Sequence, residues 1–342
     1  MKTYTIRDIA TLAGVSVTTV SRVLNHRPDV NKETRERIER IIEEKHFLGN
    51  TNARGLKQSA EVIAIVIRGR SNPFLNALTE AILSRADHLS DTLITEYIDE
   101  KDDEFRTALR LTRQHRVKGI LFVGSLIDGR VQAIHGLDIP VVFTTVDAKN
   151  ASLPRASSVA INDREMGRVV AESLYNLGHR RVAIFGSNPV AGDSLAMRFQ
   201  GFCEVWKNHG LSFDPLDYRE CRFSFESGYE TAMEYFASAP HTTALFAMSD
   251  SVAVGAVRAL RDLSLRVPED VSVIGFDGTS VSRFSIPRLS TVEQPVDEIA
   301  QESIQLLLDM IESGAAPRHL LVEAFWKPRE SLAPPSSSRL AE

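Results

Sequence analysis

The sequence predicts an all-α helix-turn-helix head followed by a larger α/β core of two lobes, each built on a doubly wound parallel sheet. Three observations predict this fold class. Two short segments with helical spacing of apolar residues flank Gly14, short apolar runs alternate with amphipathic segments from residue 62 onward, and the 342 residues are 43% hydrophobic. A chain of this length and composition is able to bury two or three cores.

The composition argues against several kinds of site. Cys203 and Cys221 are the two cysteines, and they belong to no C-x-x-C pair and no His/Cys cluster. They therefore predict reduced thiols rather than a disulfide or a metal site, and no cofactor is predicted. The first ten residues lack the apolar segment of a signal peptide, and no apolar run approaches the ~18 residues of a membrane span. These patterns predict a cytoplasmic protein without membrane contact.

Charge is distributed unevenly along the chain. Residues 1–59 hold eleven Lys and Arg against seven Asp and Glu, although the whole chain has a net charge of −5. A basic head on an acidic body is typical of a module that binds a polyanion. A solvated helical surface gives the same pattern, so charge alone leaves both interpretations open.

The head has the local signals of three short helices. A helix predicted to begin near Ile6 ends at Gly14, because glycine adopts the left-handed conformation at no steric cost. Ser16 is a suitable N-cap for a second helix over 17–24, and Asn31 caps a third. Two helices joined by a short turn with a glycine form a helix-turn-helix. The outward face of the second helix carries Val17, Thr18, Ser21 and Arg22.

The body shows two sets of short apolar runs separated by helical segments. The first set is VIAIVI (62–67), TLITEY (92–97), GILFVG (119–124) and IPVVFT (139–144), and the second is SSVAI (157–161), RVAIFG (181–186), TALFAM (243–248) and VSVIGF (271–276). Such runs predict parallel strands covered on both faces. A ligand is expected between the lobes, at the carboxyl ends of the strands.

These residues resemble a known family. The segment IRDIATLAGVSVTTVSRVLN, followed by VNKETRERI, closely resembles the DNA-binding head of the LacI/GalR family, and the resemblance extends to about residue 330. It implies a periplasmic-binding-protein-like core and a head that docks into duplex DNA. By this resemblance Val17, Thr18 and Arg22 contact base edges in the major groove. Ser16, Thr19 and Ser21 hold phosphates, and Thr5 and Asn25 complete the predicted contacts.

The linker also matches a feature of the family. Residues 49–60 are polar and predict either a plain flexible tether or, by the resemblance, a hinge that folds on operator DNA. Leu56 then wedges into the minor groove. Asn50, Ala53 and Arg54 flank it in the predicted DNA contact set.

The predicted domains follow from these patterns and the family fold. They are a DNA-binding head over 1–48, a hinge over 49–60, a two-lobed core over 61–330 and a disordered tail over 331–342. The N-lobe is predicted over about 61–160 and 293–321, and the C-lobe over about 161–292 and 322–330. Crossings between lobes are therefore expected near 160, 292 and 322.

The resemblance also implies an effector site. Arg198, Ser249, Asp250, Asp277 and Gln294 are the expected ligand contacts, and Asn72, Phe74, Ser125, Ser194 and Phe223 are the expected lining. Alternatives remain for three of them. Asp250 is able to cap the helix that follows it. Asp277 is able to serve as a turn residue, and Arg198 is able to form a surface salt bridge. His179 lies where a helix ends and a strand begins, and is expected to interact with the helix end rather than to take part in catalysis.

The sequence favours a regulator over an enzyme or a secreted binding protein. Phosphate-binding glycine motifs, a nucleophile elbow and metal-ligand spacings are absent from it. The prediction is a repressor of a carbohydrate-utilisation operon that binds a near-palindromic operator as a homodimer and responds to a sugar-like effector. A regulator that answers to a nucleobase or nucleoside corepressor, or to a phosphoprotein, is the alternative, and a doubly wound enzyme is a more remote one. The tail lacks heptads, which favours a dimer over a tetramer.

Overall fold

A computed structural model of the chain describes residues 6–24, 30–44, 61–86, 92–188, 193–238 and 241–336. The chain divides into two units, Met1–Ala60 and Glu61–Glu342, which we call the head and the body. Each unit is described by itself.

The head contains the helix-turn-helix. Its helices are α1 (Ile6–Ala13), α2 (Val17–Leu24) and α3 (Lys32–Glu44). Gly14 has a φ of +62°, which allows the chain to leave α1 and enter α2 within three residues. The three helices pack around a small core of Ile9, Ala10, Ala13, Val20, Val23 and Ile38.

The first lobe of the body is built on one sheet, in which the described strands run β11-β5-β4-β3-β1-β2 and every pair is parallel. Its elements are β1 (Val62–Arg68), α4 (Pro73–Ala86), β2 (Thr92–Ile98), α5 (Glu104–Gln114), β3 (Val117–Val123), β4 (Val141–Thr144), β5 (Ala156–Ile161), α11 (Val296–Glu312) and β11 (His319–Val322). Alternate residues of β1 enter different cores. Ile63 and Ile65 pack on one face of the sheet, and Ala64 and Val66 on the other. Both faces are therefore covered, which explains the continuous apolar run.

The second lobe has the same construction. Its described strands run β12-β10-β9-β8-β6-β7, with only the β10–β12 pair antiparallel. Its elements are α6 (Asp163–Asn176), β6 (Val182–Gly186), α7 (Ser194–Asn208), β7 (Tyr218–Glu220), α8 (Phe225–Phe236), β8 (Ala244–Ala247), α9 (Asp250–Asp262), β9 (Ser272–Asp277), α10 (Ser280–Phe284), β10 (Ser290–Glu293) and β12 (Phe325–Lys327). The predicted fold class is confirmed.

The described chain passes between the lobes three times, after β5, after β10 and after β11. The segment 157–161, which the sequence places with the second set of strands, belongs to the first sheet. It forms most of β5, which pairs with β4 in parallel register from Val141↔Ala156 to Thr144↔Val159. The connection between β4 and β5 contains turns rather than a helix, so the helix spacing that marks the other parallel pairs is missing here.

The segment after residue 330 is more ordered than the sequence predicts. A disordered tail is predicted from 331, but residues 331–336 are described and their first part is tied to the second sheet. Ser331 is fully buried and its Oγ donates to Val273 O, while Ala333 N donates to Ser272 Oγ at 3.0 Å. Backbone and hydroxyl pairing therefore holds a segment whose Pro and Ser composition suggests a free tail.

His179 also contacts this segment. Its imidazole is fully buried, with Nε2 2.9 Å from Ala333 O and Nδ1 2.9 Å from Thr243 Oγ1. Because a carbonyl only accepts, Nε2 donates. Burial lowers the pKa of His179 to about 4, so the ring is neutral near pH 7. The ring therefore links the C-terminal segment to the sheet. The backbone N–H of His179 donates to Leu174 O at 3.0 Å, which is the expected interaction with the end of α6.

Candidate effector cleft and DNA-binding head

A cavity of about 530 Å³ lies between the two lobes of the body. Its walls come from loops at the carboxyl ends of strands in both sheets, as expected for parallel α/β lobes. Eight of the ten residues predicted for the effector site line it, namely Asn72, Phe74, Ser125, Ser194, Arg198, Phe223, Asp277 and Gln294. The first lobe contributes Asn72, Phe74 and Ser125.

Ser249 and Asp250 do not line this cavity. Ser249 is the N-cap of α9 and accepts from Ser251 N at 3.2 Å. Asp250 accepts from Thr279 N at 2.7 Å, Thr279 Oγ1 at 2.9 Å and Thr291 Oγ1 at 2.7 Å. These contacts join the start of α9 to two neighbouring segments behind the cavity wall. Asp250 therefore does not cap α9, which was the alternative considered for it, because Ser249 takes that position.

Arg198 is held firmly on α7. Its Nε donates to Asp163 Oδ1 at 2.6 Å, its Nη1 donates to Met248 O at 3.2 Å, and its guanidinium carbon lies 3.6 Å from the centroid of the Phe276 ring. Burial raises the pKa of Asp163, and Arg198 opposes that shift. Both side chains are buried, so this pair is not the surface salt bridge considered as the alternative. The remaining face of Arg198 borders the cavity.

Asp277 ends β9 with an unusual backbone conformation. Its φ is +104°, and its carboxyl group is 5% exposed and accepts from Gln294 Nε2 at 2.8 Å. Burial raises the pKa of Asp277 to about 8. The carboxyl is therefore mostly protonated at neutral pH and presents both a donor and an acceptor to the cavity.

Two contacts connect the lobes beside the cavity. Ser194 Oγ donates to Thr145 O at 2.9 Å. Arg222, which follows β7, donates to both carboxylate oxygens of Asp99, which follows β2, at 2.7 and 2.9 Å. These bonds hold the two walls together in this state.

Several cavity residues were not predicted from the sequence. Arg68, Glu100, Asp193 and Arg222 all line the cavity. Asp193 caps α7 by accepting from Ala196 N at 2.6 Å, and burial raises its pKa to about 6. A signal was available for Arg68, which is the first charged residue after the apolar run of β1.

The described part of the head presents the predicted recognition face. Val17 is 41% exposed, and Thr18 and Arg22 are also exposed. Ser16 Oγ accepts from Thr19 N at 3.1 Å, which caps the start of α2. Thr5, Asn25, Asn50, Ala53, Arg54 and Leu56 lie outside the described residues, as does the side chain of Ser21.

Metal sites and membrane spans are absent from the described residues. These residues contain no cluster of three or more His, Cys, Asp or Glu side chains placed to hold a metal ion. Within the same residues, no helix combines the length and apolar character needed to cross a membrane.

Comparisons with known proteins agree with this architecture. Residues 5–50 match the model for bacterial regulatory proteins of the lacI family, and residues 171–332 match the model for the periplasmic binding protein-like domain. The HTH-type transcriptional regulator DegA of Bacillus subtilis is 34% identical over 312 residues, which cover 88% of this chain and 89% of DegA.

Solved structures extend the similarity to the whole chain. The lac repressor dimer bound to operator and the anti-inducer ONPF has a TM-score of 0.70 at 26% identity, covering 97% of this chain and all of that one. A complex of the transcriptional regulator CelR with cellobiose has a TM-score of 0.69 at 28% identity, covering 96% of this chain and 99% of that one. The chain therefore belongs to the lacI family of bacterial regulatory proteins, and it is a ligand-responsive DNA-binding regulator rather than an enzyme.

Proposed function

We propose that the protein is a cytoplasmic repressor of a carbohydrate-utilisation operon. It binds a near-palindromic operator as a homodimer, and a sugar-like effector in the interlobe cavity controls its affinity for that operator. Its predicted site comprises the eight lining residues named above.

The residues that line the cavity are the main support for a sugar-like effector. Arg198 offers a guanidinium, Asp277 offers a carboxyl, and Phe74 and Phe223 offer aromatic rings within one enclosed space. Carboxyl and guanidinium groups pair with neighbouring hydroxyls, and rings cover the apolar face of a sugar. CelR, which is similar over nearly the whole chain, was solved with cellobiose.

The exposed face of α2 supports the DNA half. Val17 and Thr18 are short enough to let the helix approach base edges, and Arg22 is long enough to reach guanine or phosphate. Contacts from the predicted hinge residues Asn50, Ala53, Arg54 and Leu56 extend the interface into the minor groove.

An apolar patch at the end of α10 supports the homodimer. Phe284 is 83% exposed and Ile286 is 92% exposed, with one residue between them. Adjacent large apolar side chains in water favour a protein partner. We assign a second copy of this chain, because the similar lac repressor structure is a dimer. Two symmetry-related heads match the two half-sites of a near-palindrome.

Control of DNA binding requires a ligand that discriminates between two states of the body. The bonds from Ser194 to Thr145 and from Arg222 to Asp99 connect the lobes in the state described here. A ligand that touches both walls favours one relative position of the lobes by the difference in its affinity for the two states. The same coupling free energy then appears in the affinity for operator DNA.

A thermal-shift screen of the full chain tests the effector assignment. The panel contains cellobiose, maltose, ribose, glucose, galactose, their uronate and phosphate relatives, and nucleosides. A sugar of this panel is expected to raise the unfolding temperature progressively with its concentration, because it binds only the folded chain. Stabilisation by nucleosides alone, or by no compound, would contradict the sugar assignment.

A further inference from the structure

Three unpaired polar atoms mark one place in the body. Among the described residues, the buried side-chain nitrogen and oxygen atoms without a hydrogen-bond partner are Arg68 Nε, Glu104 Oε2 and Ser125 Oγ. Buried polar atoms are almost always paired in folded proteins, because an unpaired one loses its bonds to water without replacement. Arg68 Nε and the lone pairs of Ser125 Oγ border the cavity, so we expect their partner to come from it, whereas Glu104 Oε2 lies behind the wall within reach of the Ser125 hydroxyl.

The fold brings these side chains together. Arg68 ends β1 and Ser125 follows β3, and these two strands are paired in parallel with Ile67 opposite Val123. Both residues line the cavity. Glu104 begins α5 behind them, where its Oε1 accepts from Leu126 N at 3.0 Å.

Glu104 is electrostatically linked to both wall residues. Burial raises its pKa to about 7, while Leu126 N, Arg68 and Ser125 favour the ionised form. Glu104 is 2% exposed and Ser125 is 9% exposed, so solvent is largely excluded from the cluster. Arg68 has no carboxylate within ion-pairing distance among the described residues, and its Nη2 donates to the carbonyl of Glu100.

We propose that Arg68 and Ser125 form a subsite for a hydroxyl group of an uncharged sugar or polyol, and that Glu104 positions them for it. This inference rests on the proposed function and narrows the class of effector. It selects against ligands that present a carboxylate or a phosphate to this wall.

The selectivity follows from the directions of the hydrogen bonds. An ionised Glu104 accepts only, so the Ser125 hydroxyl turns its proton toward Oε2 and offers its lone pairs to the ligand. The ligand must therefore donate to Ser125 Oγ. Arg68 Nε donates only, so the ligand must also accept. A hydroxyl group, or two neighbouring ones, does both, whereas a carboxylate or phosphate only accepts and carries negative charge toward Glu104.

Isothermal titration of the full chain with matched ligands tests this subsite. Glucose, glucuronate and glucose 6-phosphate differ in the charged group, and cellobiose replaces glucose if it is the stronger stabiliser. Measurements are made about one pH unit above the pKa of Glu104. The unsubstituted chain is expected to bind the neutral sugar at least about tenfold more tightly than either anion, and Ser125→Ala and Arg68→Gln are each expected to lose about tenfold for it.

Glu104→Gln separates positioning from a purely structural role. Without the negative charge, Ser125 is free to donate to a ligand, so the ratio of neutral-sugar affinity to glucuronate affinity is expected to fall about tenfold. A structural defect weakens both ligands together and leaves that ratio unchanged. Arg70→Gln is the matched control, because Arg70 is exposed two residues from Arg68 and donates to Tyr97 O.

The possible results distinguish failure of the subsite from failure of the proposed sugar effector. The subsite is overturned if the unsubstituted chain prefers an anion. It is also overturned if Ser125→Ala and Arg68→Gln both bind the neutral sugar within about twofold of the affinity of the unsubstituted chain. Either result leaves an effector-controlled regulator intact. Absence of binding by every sugar, neutral or charged, rejects the sugar effector and the subsite together. If Glu104→Gln does not fold, a lower neutral-to-anion ratio in Ser125→Ala supports the subsite, and an unchanged ratio overturns it.

Discussion

At the scale of single residues, the buried carboxyl groups of the second lobe differ by their partners. Asp250 receives three hydrogen bonds from Thr279 and Thr291, and burial raises its pKa to about 6. Asp277 receives one side-chain bond, from Gln294, and burial raises its pKa to about 8. Asp250 therefore has a structural role, because its hydrogen bonds connect separate segments, whereas the carboxyl group of Asp277 is still able to form hydrogen bonds with a ligand.

Asp277→Asn is expected to stabilise the ligand-free protein at alkaline pH. The pKa of Asp277 in the folded chain lies above the ordinary aspartate value of 3.8, so its contribution to stability is complete below that value and is lost as pH rises to about 8. Asparagine does not ionise and tolerates the positive φ. The variant is expected to gain at least about 1 kcal/mol over the unsubstituted chain at pH 8 relative to pH 4.

Chemical denaturation at both pH values measures this gain. Asp297→Asn is the control, because that side chain is 86% exposed, and its effect is expected to stay within about 0.5 kcal/mol. A stability difference between Asp277→Asn and the unsubstituted chain that does not change with pH would show that Asp277 is ionised throughout.

The sequence alone predicted the residue types of the cavity better than their exact partners. Arg198 and Asp277 stand at strand-end or helix positions that the family resemblance identifies, and both line the cavity. Ser249 and Asp250 precede a helix in the same way, but whether such a residue points into a cavity or caps the helix depends on neighbours distant in sequence. Thr291, which binds Asp250, is 41 residues away.

At the scale of elements, we propose that the exposed face of α2 determines which DNA sequence is preferred. Exchanging its first two residues, as Val17→Thr with Thr18→Val, preserves composition and helix length. We expect the preferred bases to change, with discrimination of about 1–3 kcal/mol per altered contact, while sugar binding stays the same. Selection from a random duplex pool followed by competition binding measures this. Identical base preferences in the two proteins would remove these residues from the base-contacting set.

The α6–α7 crossing is expected to tolerate no side chain at Gly201. A Cβ there would lie 2.0 Å from Arg164 O, and Gly167 has the same relation to Arg198 O. Gly201→Ala is therefore expected to cost about 1–3 kcal/mol by forcing apart the two helices that carry Asp163 and Arg198.

Equilibrium unfolding and effector titration together check this crossing. Gly136→Ala is the control, because nothing lies within 4 Å of a Cβ at that position. Its stability is expected to change by less than about 0.5 kcal/mol. Equal stabilities of the two variants would contradict the close packing.

Strands were predictable from the sequence where a local run of apolar residues marks them. The apolar runs of β1 and β6 identified buried parallel strands, since both of their faces are covered. The apolar-run pattern alone grouped β5 with the second set of strands, because a connection without a helix separates it from β4, whereas the lobe bounds implied by the family resemblance placed residues up to about 160 in the first lobe. The contacts of Ser331 and Ala333 depend on Ser272 and Val273, about 60 residues earlier, and leave no local pattern.

At the scale of the whole molecule, the patch of Phe284 and Ile286 is expected to hold two copies together. Replacing both with serine removes its apolar area and is expected to weaken dimerisation at least about tenfold, which sedimentation velocity measures. Leu216→Ser is the control, because Leu216 is 70% exposed elsewhere on the body. An unchanged dimer in the double variant would place the interface on another surface.

At this scale we also propose that a ligand in the cavity changes the affinity of the head for DNA. The most direct test is the affinity of the full chain for its best duplex from a random pool, measured with and without the sugar that stabilises the chain most. We predict salt-sensitive binding that changes at least about fivefold with the sugar, and a reciprocal effect of DNA on sugar affinity. Sugar binding that leaves DNA affinity unchanged, or no salt-sensitive affinity for any duplex, would contradict the account.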